Sequence, residues 1–118
     1  MAEPLGWVAM VLHAHLPFVR HPEHPDALEE AWLYEAMAEC YIPLLDRLER
    51  LAEEGVPYHL SFTLTPTLAA MLRDPLLQER FRRHVALMQD LGRRELHRTR
   101  HHPELHRLAR FHADHWDR

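Results

Sequence analysis

His13-Ala14-His15 places two imidazoles two positions apart at the end of an apolar run, and no other residues of the chain are better placed to do chemistry. On an extended strand both project to one face, with Val11 and Ala9. Imidazole donates or accepts hydrogen bonds and ligates metals. Further along, Ser61, Thr63 and Thr65 alternate with Phe62 and Leu64, so a second strand would carry hydroxyls to the same rim. Such a corner suits a polyhydroxyl ligand or a metal ion, or it is a satisfied turn holding nothing. Zinc accepts two imidazoles, but a catalytic site needs a third protein ligand. No Asp or Glu stands at a later strand end to supply one, so no metal ligand is assigned.

The remaining candidates fit structure better than chemistry. His97 and His101 are four apart, as are His102 and His106, but Pro103 intervenes and arginines flank both pairs. That region reads as a solvated, arginine-rich helical surface. His112 and Trp116 fall on an apolar stripe and read as packed. Arg80, Arg82, Arg83, Arg93 and Arg94 have acidic neighbours, which makes a salt-bridged face. Glu30 and Glu35 read as capping and surface residues, and Cys40, near a helix stripe, as inert. There is no Gly-X-Ser-X-Gly elbow, and three glycines form neither a phosphate loop nor a dinucleotide fingerprint, so no cofactor is expected.

The elements that must position the two histidines follow from periodicity. Trp7 to Leu12 is apolar on both sides, as in a parallel strand covered on both faces, and predicts a first strand over about 7–13. Asp26, with Glu29 three residues on, predicts the N-cap of a long helix over about 26–54. Leu33, Met37, Tyr41, Leu44, Leu48 and Leu51 form its stripe. Pro43 must kink or divide it, and Gly55 should close it. The alternation from Tyr58 to Thr65 predicts the second strand over about 58–65. Helices then fill 66–118. Thr65-Pro66 caps the first of them, Asp74-Pro75 is a break, and the next ends near Gly92. The last opens at Pro103, with Leu105, Leu108, His112 and Trp116 on one side and no stop signal before Arg118.

Strand, helix, parallel strand, then more helices is the opening of an α/β barrel or doubly wound sheet. A full barrel of that type takes about 250 residues, against 118 here, so the sequence reads as the front part of a larger protein. The net charge of −4 offers no field for nucleic acid or anionic lipid. Glu3 in place of a basic leader, an apolar run that stops at His13, and a single cysteine point to a cytoplasmic protein with no membrane partner.

The run His13-Ala14-His15-Leu16-Pro17-Phe18-Val19-Arg20-His21-Pro22-Glu23 resembles the first conserved region of glycoside hydrolase family 57. The leucine after the second histidine is similar to the branching-enzyme subgroup. The likeness continues through Leu28–Ala36, Glu39–Leu45, Leu64–Leu68 and Leu76–Arg80. The resemblance implies a (β/α)7 barrel, an incomplete relative of the TIM barrel, acting on α-1,4-glucan. It implies transfer of a glucan chain to a 6-hydroxyl by retaining double displacement, as in glycogen or starch-type metabolism. Retention needs two carboxyls about 5 to 5.5 Å apart. In the family these come from later regions, so residues 1–118 would hold no catalytic residue and would be inactive alone. His13 and His15 would donate to the hydroxyls of the sugar at the cleavage point, Trp32 would stack on a glucose face, and Thr65 would join them. The partners implied are an α-glucan and the remainder of the barrel. Two other readings stand beside this one: a stand-alone glucan-binding or accessory chain, and a metal-dependent hydrolase of the amidohydrolase type built on His13 and His15.

Overall fold

A computed structural model describes residues 5–117, which leaves Glu3 and Arg118 outside the described residues. Strand β1 spans Val11–Ala14 and strand β2 spans Ser61–Leu64. They pair in parallel, with Val11 opposite Ser61 and His13 opposite Thr63. The helices are α1 (Leu28–Ala36), α2 (Ile42–Glu53), α3 (Pro66–Arg73), α4 (Pro75–Arg98) and α5 (Pro103–Trp116). The α/β expectation therefore holds for this stretch: two parallel strands joined through helix, then helices.

Both strands are shorter than the sequence suggests. The ladder reaches from the Met10 carbonyl, which accepts from Ser61, to the Ala14 carbonyl, which accepts from Thr65. Trp7 and Val8 lie before it, almost fully exposed. A strand pairs only along a neighbour, and β2 offers four residues. Nor is the sheet covered on both faces: Val11, Phe62 and Leu64 are exposed, while Ala14 packs on the core.

The predicted long helix is divided, as Pro43 requires. A π-helical turn over Met37–Tyr41 joins α1 to α2, and the Ile42 N–H bonds the Met37 carbonyl five residues back. The wider turn gives room to the proline ring and to the carbonyl it leaves unbonded. The start differs by two residues: Ala27 occupies the N-cap without a side-chain bond, and Asp26 lies beside Arg83 at 3.4 Å. The stop is as expected. Gly55 has φ +69°, and the Gly55 and Val56 N–H groups bond the Ala52 and Leu51 carbonyls, a Schellman closure.

Thr65 caps α3 through Oγ1, which accepts from the Leu68 N–H. Asp74 is more than a break, since its carboxylate accepts from Leu76 and Leu77 and caps α4. Helix α4 runs through Gly92 to Arg98. Gly92 ends nothing; it lets α5 come close at Ala113. Against α4, α5 buries Ala113, with Ala109 and Trp116 half-buried, whereas Leu105, Leu108 and His112 of the predicted stripe are exposed. Asp117 is the C-cap of α5.

The core lies between the loop after β1 and helices α1, α3 and α4. It comprises Val19, Leu33, Tyr34, Leu68, Met71 and Leu77, with Leu16, Met37, Tyr41 and Phe81 packed against it.

Candidate functional site

The carboxyl end of the strand pair is where parallel α/β sheets place ligands, and it is where the sequence puts its histidines. His13 is exposed, and its Nδ1 lies 3.0 Å from Thr63 Oγ1 on the neighbouring strand. The parallel register sets this pair opposite each other. The bond fixes the ring and leaves Nε2 for a ligand. His15 is exposed one residue past the strand. Thr65 meets the same end through its backbone bond to Ala14, between the two histidines, while its hydroxyl oxygen is engaged in the α3 cap. Trp32 stands on α1, about half exposed at 49%, on another side of the helix from buried Glu30, Leu33 and Tyr34. The structure brings His13, His15, Thr63 and Thr65 to one rim; Trp32 shares no hydrogen bond or ring contact with them among the described residues.

The loop between β1 and α1, residues 15–27, extends this rim, and its backbone is pinned from within. Arg80 and Glu30, read from sequence as members of a salt-bridged face and a capping surface, are both buried. Arg80 Nη1 lies 2.5 Å from Glu30 Oε1. The same guanidinium donates to the carbonyls of His21 at 2.9 Å, Pro22 at 3.2 Å and His24 at 3.4 Å. Glu30 Oε1 also accepts from the His21 N–H, and Oε2 from the Tyr34 hydroxyl. A buried ion pair is tolerated when every remaining lone pair and proton is satisfied, and here none of the buried side-chain polar atoms is orphaned among the described residues.

Burial by itself would raise the Glu30 carboxyl, but the His21 N–H, Arg80 and Tyr34 together outweigh it and hold it below the usual carboxylate range. Burial and the adjacent Glu30 push the Tyr34 phenol up. Further along the loop, the Val19 N–H donates to Met71 Sδ and Arg20 Nε pairs with Asp74. The sequence does carry a trace of the clamp. Glu30 falls three residues before Leu33, and Arg80 three after Leu77, so each is a charged residue on an apolar stripe.

The other predicted features are as expected for a surface, Arg80 excepted. Arg82 pairs with Glu79, Arg83 with Asp26, and both Arg93 and Arg94 with Asp90. Cys40 is exposed on the π turn rather than packed on the stripe. Among the described residues no three or more His, Cys, Asp or Glu side chains gather as metal donors, and no helix is long and apolar enough to cross a membrane.

Known proteins are similar to this chain in sequence and in fold. A 1,4-alpha-glucan branching enzyme of Thermococcus kodakarensis is 40% identical over 81 residues, 68% of this chain and 12% of that one. A probable 1,4-alpha-glucan branching enzyme of Mycobacterium tuberculosis is 40% identical over 70 residues, 59% of this chain and 13% of its own length. The chain thus spans a small fraction of the curated relatives it matches. The crystal structure of the alpha-amylase AmyC from Thermotoga maritima superposes with a TM-score of 0.82 at 40% identity, over 92% of this chain and 20% of the amylase chain. The model of glycosyl hydrolase family 57 matches residues 9–115, a span that takes in both strands, the clamped loop and nearly all of the helices. The reading of His13 and His15 as the start of an amidohydrolase gives way to it: the chain belongs to glycosyl hydrolase family 57.

Proposed function

We propose that this chain supplies part of the sugar-binding surface of a retaining α-glucan-acting enzyme of the branching type, which moves an α-1,4-glucan chain onto a 6-hydroxyl. The observation that carries the reading is 40% identity to 1,4-alpha-glucan branching enzymes within a family match over residues 9–115. The geometry supports it: a polar rim at the carboxyl end of two parallel strands suits hydroxyl-rich ligands. In this reading the free Nε2 of His13 and the ring of His15 hydrogen-bond sugar hydroxyls, the Thr65 segment borders them, and exposed Trp32 offers a flat apolar face to a glucose ring. The two carboxyls of retaining chemistry come from polypeptide beyond the residues matched here, which also completes a (β/α)7 barrel. In this reading the chain by itself is inactive.

The test has two arms. Maltoheptaose titrated into the protein should shift the imidazole NMR signals of His13 and His15, and a His13→Ala, His15→Ala variant should lose the binding. Amylose incubated with the chain alone should gain no α-1,6 linkages. Unmoved imidazoles sink the sugar-binding role, and branching above the double variant sinks the placing of catalysis outside the chain.

A further inference from the structure

We infer that Arg80 is a positioning residue for the sugar-binding rim: through the carbonyls of His21, Pro22 and His24 it sets the loop that follows His13 and His15, an inference that rests on the function proposed above. The loop is built inside out. Its backbone polar groups turn inward, to Arg80 at three carbonyls and to Glu30 at the His21 N–H, and Arg83 takes the Pro25 carbonyl. The side chains of Pro22, Glu23 and His24 are left exposed. A rigid backbone with outward side chains, next to the carboxyl end of β1, is how βα loops present ligand contacts. The Arg20–Asp74 pair and the Val19–Met71 bond do not reach residues 21–24. Turn bonds from the His24 N–H to the His21 carbonyl and from the Ala27 N–H to the His24 carbonyl close the loop on itself, and the Arg80 guanidinium ties the three carbonyls to α4.

Arginine is required by the geometry. Its planar fork sets two nitrogens side by side, Nη1 serving Glu30 and the carbonyls of His21 and His24 and Nη2 that of Pro22, whereas the ammonium of lysine is a single point charge. Lysine at this position would keep the charge opposite Glu30 and release part of the loop. This separates a positioning role from a purely structural one.

The experiment compares the unsubstituted protein with Arg80→Lys and Arg80→Met. It reads amide hydrogen exchange along the loop and along α4, urea unfolding, and maltoheptaose affinity from the His13 and His15 signals. Arg80→Met can fail to fold, because it strands Glu30; Arg80→Lys then carries the test. The expected result for Arg80→Lys is unchanged protection of α4, about tenfold faster exchange at the hydrogen-bonded His21 and His24 amides, and about tenfold weaker maltoheptaose binding, since small displacements of binding groups are costly. Loop exchange and affinity equal to the unsubstituted protein would overturn the inference. So would an affinity loss matched by an equal loss of α4 protection, which is the mark of a structural role alone. If the unsubstituted protein does not bind maltoheptaose, the glucan reading falls and takes the inference with it. If it binds, and Arg80→Lys binds equally well, only the inference falls.

Discussion

Gly92 of α4 and Ala113 of α5 touch backbone to side chain: a Cβ on Gly92 would stand 3.1 Å from the Ala113 Cβ and 3.2 Å from its Cα. Glycine in a helix interior costs about 1 kcal/mol relative to alanine, a cost offset here by the close approach of two helices. A bulky side chain must push α5 away. Gly92→Leu should destabilise the protein by about 1 to 3 kcal/mol in urea unfolding. Adding Ala113→Gly should recover part of that loss, because the two sites share one contact. Purely additive effects would show that the helices do not meet here.

Glu30→Gln keeps the shape of the buried clamp but leaves the Arg80 charge unpaired. A cost of about 3 kcal/mol or more is expected in equilibrium unfolding, as for other broken buried pairs. The pH dependence has a definite sign. Glu30 and Asp74 are both held below their ordinary values of 4.5 and 3.8. At Asp74, as at Glu30, burial opposes the shift and is outweighed, here by Arg20 and by the Leu76 and Leu77 N–H groups. Their stabilisation is therefore complete above those values and is lost as pH falls through the lower folded ones. Asp74→Asn should flatten the acid limb of a stability–pH curve, and an unchanged limb would show that the Arg20 pair and the cap leave stability untouched.

His84 sits between the rings of Tyr34 and Trp116, at centroid distances of 5.3 and 5.6 Å. Burial lowers its affinity for a proton, and the Glu35 carboxylate opposes this only in part. The neutral ring is thus the form that folding favours. Its contribution is fully present above the ordinary histidine value of 6.5 and is lost as pH falls below it. His84→Phe keeps an aromatic ring and should remove this step from thermal melts recorded in mildly acidic buffers. A step of the same size in the variant would assign it to another histidine.

Thr65→Ala removes the oxygen that accepts from the Leu68 N–H and should cost about 1 kcal/mol, whereas Thr65→Ser should keep most of the cap. Circular dichroism during urea unfolding separates the two. Because the hydroxyl oxygen serves the cap, equal stability of the alanine and serine variants would indicate that it does not hold α3.

The parts that local sequence decided are those whose causes lie within a few residues. Gly55 could close α2 because only the next residue and the preceding turn take part. Thr65-Pro66 could open α3 for the same reason, and Pro43 could disturb its helix because a proline obstructs the carbonyl four residues back. His13 and His15 could be placed at a strand end because alternation and an apolar run need no distant partner. The family resemblance was legible in the same way, since it rests on short uncommon strings in order.

What only the tertiary structure decided depends on residues far apart in the chain. Glu30 and Arg80 stand fifty positions apart. Each read alone is a surface charge, and only their mutual satisfaction with Tyr34 and the loop carbonyls makes burial affordable. Gly92 carries the local signature of a helix end, and α5 overrides it by lying against it. The strand lengths were set by how far β1 and β2 overlap. Patterns of polarity determine which elements form; which charges and glycines are enclosed is settled by what packs across from them, because desolvation and close contact act through space and not along the chain.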